Sequence, residues 1–178
     1  MLPEISPAII GGLVGALVTM TGWFVTDFQR RKDAKRTRLA DYTQRQIYEL
    51  YAPLQMLAEK EYSYRKVRKD ACDAVEKERR DLAWRLCSER YIFPAQRAIY
   101  ELLQDKWYLL VDGDQPESFA AVLDHCSRAL VLYELDMGGL GNLGKIPAKP
   151  MPDKFKDDVE QILRELRSKY NRLLGIRK

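Results

Sequence analysis

The feature that most restricts this chain is an uncharged run near its start. From Ile5 to Thr26 no side chain carries a charge, and Ala8 to Val25 is apolar or small throughout. At 1.5 Å rise per residue a helix of that length extends about 33 Å, enough to cross a hydrocarbon core of about 30 Å. A single transmembrane helix over residues 5–26 is therefore expected. A secretory leader would carry basic residues ahead of the apolar run, whereas the one ionisable side chain there is Glu4. The bases come afterwards, as Arg30, Arg31, Lys32, Lys35, Arg36 and Arg38. Such a cluster stays on the cytoplasmic side, which puts the N-terminus outside and residues 27–178 inside. Trp23, Phe24 and Phe28 stand just before the cluster, where aromatic rings favour the interfacial zone.

The apolar run also has a packing face. Ala8, Gly12, Gly15, Thr19 and Gly22 fall on one helical stripe, and Gly11 with Gly15 adds a GxxxG pair. In lipid, apolar burial gives helices no net attraction, so small residues that let backbones approach closely are what drive association. A homo-oligomer is the expected partner arrangement. Ile9, Ile10, Leu13, Leu17 and Met20 form the opposite face, suited to lipid chains.

Charge reads the same way. The formal net charge is +4, and residues 27–40, with six bases against two acids, carry that much by themselves. The basic balance is thus a topology signal before it is a nucleic-acid footprint. Cys72, Cys87 and Cys126 are odd in number and show no CxxC or Cys/His spacing, which suits a reducing compartment and suggests neither a disulfide framework nor a metal site.

Beyond the run, every patterned stretch repeats near 3.6 residues, so the chain is expected to be all-α: a transmembrane helix (5–26), a juxtamembrane helix (27–52) and a cytoplasmic bundle (53–178), with about five helices inside. No break follows Val25, so the membrane helix should run on through the basic cluster. Pro53 should kink or divide the stripe of Tyr48, Leu50, Tyr51, Leu54 and Leu57. A charged helix over residues 76–90 is expected to put Leu82, Trp84, Leu86 and Cys87 inside. A helix opened by Pro94 carries Ile99, Leu102, Leu103, Trp107, Leu109 and Leu110, and Asp112 to Pro116 reads as a turn. The next helix carries Phe119, Val122, Leu123, Leu130, Leu132 and Leu135 as far as Gly138. The last starts at Pro152-Asp153, buries Phe155, Val159, Ile162, Leu163, Leu166, Tyr170, Leu173 and Leu174, and ends at Gly175.

Signals for chemistry are few. Gly138 to Lys145 satisfies both GxGxxG and GxxxxGK, but a helix precedes it and Ile146-Pro147 follows, so neither the strand nor the hydroxyl that a phosphate loop needs is present. It reads as an interhelix connection. His125 lies between Asp124 and Cys126 in a helix, where neighbours point about 100° apart, so it reads as a plain surface or core residue. With no HExxH, no GxSxG and no metal-ligand cluster, no enzyme, cofactor or metal is expected; the carboxylate pairs Asp112/Asp114 and Asp157/Asp158 fall in a turn and on an exposed helical face. One basic stretch with aromatics remains. Tyr62, Tyr64, Arg65, Lys66, Arg68 and Lys69 are the candidate site for an anionic ligand, a nucleotide or oligonucleotide, set against a solvated face interleaved with Glu59, Glu61, Asp70, Asp73, Glu76 and Glu78.

The order of motifs resembles a group of uncharacterised bacterial single-pass membrane proteins: Glu49-Leu-Tyr-Ala-Pro-Leu54, Phe93-Pro-Ala-Gln-Arg-Ala-Ile99, Leu109-Leu-Val-Asp-Gly-Asp114, a leucine-rich helix with His125 and Tyr133-Glu134, and Tyr170-Asn-Arg-Leu-Leu-Gly175. The plan also resembles, in architecture, the membrane effectors of bacterial anti-phage defence systems, including that of the nucleotidyltransferase-based Hailong system. That resemblance implies an oligomer in the bacterial inner membrane whose bundled helices form a gated pore under the control of a nucleotide or oligonucleotide signal. The alternative is a passive anchor or adaptor that recruits a cytoplasmic partner protein encoded nearby.

Overall fold

A computed structural model describes residues 7–110, 116–137 and 151–176, with side chains described from Gly15 onward and, in the helix that ends at Met137, as far as Leu135. Among these residues every regular element is helical and none is a strand. The helices are α1 (Pro7–Arg45), α2 (Ala52–Ala74), α3 (Arg80–Cys87), α4 (Phe93–Asp105), α5 (Glu117–Met137) and α6 (Phe155–Leu174). The expected continuity past Val25 is present: α1 runs unbroken through the basic cluster. It then passes through a π-helical turn, Gln46–Tyr51, directly into α2. The result is one rod from Pro7 to Ala74.

Pro53 is accommodated rather than disruptive. In an α-helix its ring would strike the carbonyl of Glu49 four residues back. The π turn widens the helix just before it, and Ala52 donates its N–H five residues back, to Ile47. The same device recurs between α3 and α4. There a π turn over Ser88–Ile92 precedes Phe93-Pro94, and Phe93 donates to Ser88. Pro94 therefore does not open a helix; it sits inside a second continuous run from Arg80 to Asp105.

The core gathers on one stripe of the rod. Ile47, Leu50, Tyr51, Leu54 and Ala58 pack with Ile99 and Leu103 of α4, Phe119, Val122 and Cys126 of α5, and Phe155, Val159, Leu163 and Leu166 of α6. Tyr51, Phe119 and Phe155 form an aromatic chain through it, with ring centroids 6.3 and 5.2 Å apart. α6 runs back along the rod. Its start lies at Tyr62, whose hydroxyl donates to the Pro152 carbonyl at 2.7 Å, and its end lies at Gln44 and Arg36, which meet Tyr170 and the Leu173 carbonyl. Asp157 and Asp158 in its first turn suit the positive end of the helix dipole. Gly175, at φ 74°, closes it in the expected position. The N–H groups of Gly175 and Ile176 reach the carbonyls of Arg172 and Asn171, a pairing that needs the left-handed residue.

Several expectations need correction. Leu82, Trp84 and Leu86 are 58%, 48% and 41% exposed, not inside, because the eight-residue α3 packs mainly on α2 and leaves the rest of its surface uncovered. Trp107 and Leu174 are also about half exposed. Leu109 and Leu110 are buried as expected, but on a 3-10 turn and its exit rather than on a helix. The spanning helix expected over residues 5–26 is not supplied by the described residues, among which no helix is long and apolar enough to cross a membrane. From Gly15 to Thr26 a helix extends only about 18 Å, against a core of about 30 Å. Residues 1–6 and the side chains of residues 7–14, among them Ala8, Gly11 and Gly12, lie outside the described residues. So do the turn at residues 112–115 and the glycine-rich segment 138–145.

Candidate functional site

The stripe that forms the core does not end at Ala58. At the same spacing it continues through Glu61, Arg65 and Arg68, so charged side chains enter the interior between α2, α4 and α5. Glu61 is 0% exposed. Arg65, one turn on, donates Nε to Glu61 Oε1 at 2.5 Å with its side chain 27% exposed. Gln96 of α4 donates Nε2 to the same oxygen at 3.2 Å. Arg65 Nη2 and Gln96 Nε2 each lie 3.0 Å from Nε2 of His125 on α5.

An arginine nitrogen cannot accept, and reversing the Gln96 amide would turn its oxygen toward the Glu61 carboxylate. His125 Nε2 is therefore placed to accept from both. Burying a carboxylate is costly unless a cation and donors compensate it, and Arg65 with Gln96 supply both. Two acceptors in the cluster, Glu61 Oε2 and Gln96 Oε1, have no protein partner. Alongside, Arg68 Nη1 donates to Ser88 Oγ at 3.1 Å, the residue that starts the second π turn, and its guanidinium lies 5.1 Å from the Trp84 ring centre. Burial lowers the affinity of Arg68 for its proton. The thiol of Cys126 sits beside the cluster, where burial pushes it up to about 12 and makes it a poor nucleophile.

The six residues of the anion-ligand candidate thus separate. Arg65 and Arg68 turn inward to Glu61 and Ser88. Tyr62 donates to the Pro152 and Asp153 carbonyls just ahead of α6, and Tyr64 packs on Tyr91 with ring centroids 5.3 Å apart and Lys60 near its face. Lys66 and Lys69 stay exposed. Of the interleaved acids, Glu59, Asp70, Asp73, Glu76 and Glu78 are exposed, but Glu61 is not. Sequence reading placed Glu61 on a solvated face and gave no role to Gln96 or Ser88. The available signal was the 3-4 spacing from Leu54 through Ala58 to Glu61 and Arg65, which puts a charged pair on the core stripe. Asp158 also departs from the solvated face expected of it, since it accepts the Ser118 hydroxyl at 2.5 Å and ties α5 to α6.

A second polar cluster joins the rod to the turn after α4. Glu49 accepts from Arg45 at 2.9 Å and Lys106 at 3.2 Å, and these hydrogen bonds hold its carboxyl below the usual range. Buried Gln46 donates to the Leu109 carbonyl at 3.0 Å. Both π turns therefore begin on a buried polar residue tied to another element.

On the stalk, Arg30, Arg31, Lys32, Lys35, Arg36 and Arg38 are all exposed, with Arg31 paired to Asp27 at 2.7 Å. A Cβ placed on Gly15 or Gly22 would meet nothing within 4 Å. Among the described residues no group of His, Cys, Asp and Glu could hold a metal ion. No family model matches this chain, no curated protein matches it, and no solved structure matches it.

Proposed function

We propose that this chain is an oligomeric membrane effector of a bacterial inner membrane, acting in anti-phage defence, in which N-terminal helices assemble into a gated pore and the cytoplasmic bundle controls it. The observation that carries the reading is the unbroken rod from Pro7 to Ala74, whose large apolar side chains from Leu17 to Phe28 are exposed. Leu17, Val18, Met20, Trp23, Phe24, Val25 and Phe28 cover the helix except along the stripe of Gly15, Thr19 and Gly22, a surface that water does not favour and lipid does. The hydroxyls of Thr19, Thr21 and Thr26 donate to the carbonyls of Gly15, Leu17 and Gly22. No threonine donor is then left unmet on entering hydrocarbon. The open space at Gly15 and Gly22 suits close approach of a second helix along the stripe of Ala8, Gly12, Gly15, Thr19 and Gly22.

A rigid rod lets the bundle turn or tilt the stalk, which a flexible tether would not. Control by a nucleotide or oligonucleotide belongs to the same proposal and would act at Lys66 and Lys69, or by drawing Arg65 away from Glu61. The test is expression in bacteria with a membrane-potential dye. Gly15→Leu is expected to abolish depolarisation and toxicity, and a fully active Gly15→Leu protein would overturn the pore.

One observation favours a second reading. The uncovered side chains of Leu82, Trp84, Leu86 and Tyr91 offer a surface on which a passive anchor could recruit a partner protein. That reading predicts full function when an unrelated spanning helix replaces residues 5–26, an exchange the pore does not survive.

A further inference from the structure

α6 runs antiparallel to the rod, so its C-terminal tip points toward the stalk. The tip ends on Arg36. That side chain donates Nε to the Leu173 carbonyl, and its Nη2 lies where a Cβ on Gly175 would come within 3.3 Å. One turn earlier on the same face of α1 stands Lys32. At the tip and just past it, Leu174 and Ile176 are half exposed, and Arg172 is exposed beside them. Apolar side chains ringed by cations, at the end of the bundle nearest the apolar stalk, are what an anionic lipid surface recognises. Ten residues separate Thr26 from Arg36, about 15 Å along the helix axis. A headgroup layer about 5–7 Å deep and a screening length of about 10 Å at 0.1 M salt bring the tip within reach of lipid charge.

We infer that the α6 tip is a second membrane contact, in which Lys32, Arg36, Arg172, Leu174 and Ile176 rest on the anionic headgroups of the leaflet that the stalk enters. This rests on the membrane reading above. It gives the bundle two points of attachment, the stalk and the tip, so lipid charge biases the tilt of the rod.

The experiment uses the full chain carrying Ile176→Cys, Cys72→Ser and Cys87→Ser, labelled at residue 176 with an environment-sensitive fluorophore. It is reconstituted in vesicles of phosphatidylcholine with or without phosphatidylglycerol. Alkaline carbonate extraction first reports whether the protein is embedded; release into the supernatant overturns the membrane reading itself. For retained protein, emission at residue 176 is expected to shift to the blue and to be quenched by shallow spin-labelled lipid only when phosphatidylglycerol is present. Both effects should be lost at about 1 M salt, where the screening length falls to about 3 Å. Lys32→Ser with Arg172→Ser should abolish the difference without releasing the protein. Retained protein whose label is equally exposed in both lipids, or that responds to lipid charge regardless of Lys32 and Arg172, overturns the contact.

Discussion

Replacing Arg65 with Met tests the interior cluster most directly. Met keeps much of the length of the side chain and removes the guanidinium, which leaves the 0%-exposed Glu61 carboxylate with the Gln96 amide as its donor. Breaking a buried ion pair from one side costs about 3–5 kcal/mol. Arg65 is itself 27% exposed, so water already screens part of the pair and the cost falls to the bottom of that range or below it. A loss of about 2–3 kcal/mol is expected, or about 4–12 °C in Tm for a bundle of this size. Glu61→Gln should cost less, about 1 kcal/mol, because Arg65 can turn its charge to water while the interior loses one. The double variant Glu61→Gln with Arg65→Met is the decisive sample. It no longer buries an unpaired carboxylate, so it should be more stable than Arg65→Met alone. Thermal melts at 222 nm in matched detergent read all four proteins. If Arg65→Met lies within about 0.5 kcal/mol of the parent, or if the two changes simply add, Glu61 does not depend on Arg65 and the account of the cluster fails.

Other outcomes follow from the same geometry. Leu54→Ala should cost about 2–5 kcal/mol and Leu82→Ala less than about 0.5 in urea titrations, since the first leaves a core cavity and the second trims a side chain already in solvent. Gly175→Ala should lower Tm by about 2–4 °C, because a Cβ at φ 74° costs about 1 kcal/mol. Cys126 should resist a thiol reagent in the native protein while Cys72 and Cys87, half-buried, react first. With its folded value raised to about 12 and its unfolded value near the ordinary thiol range, Cys126 contributes stability that is fully present below about pH 8.5 and lost as pH rises toward 12. Cys126→Ala should flatten that decline, measured as Tm against pH, by up to about 1.4 kcal/mol per pH unit.

Local rules made much of this legible in the chain itself. Helical periodicity required an all-α fold, the glycine after a long amphipathic run placed the end of α6 at Gly175, and the lack of any breaker after Val25 implied the continuous α1. These depend on neighbours three or four residues apart, so one sequence suffices. Three outcomes needed the tertiary structure. A proline in a helical pattern calls for a kink, but not for the π turn that absorbs it at Pro53 and Pro94, because the wider turn survives only where the core holds Ile47, Leu50 and Ile92. The spacing of Leu82, Trp84 and Leu86 cannot tell a buried face from an open one, and among the described residues no helix covers them. Most of all, the role of Glu61 was decided by residues 35 and 64 positions away, Gln96 and His125. Charge alone puts a glutamate on the surface. Only the packing of α4 against α2 brings the Gln96 donor that helps make its burial affordable, and only the approach of α4 and α5 draws Arg65 off the surface where its sequence neighbours remain.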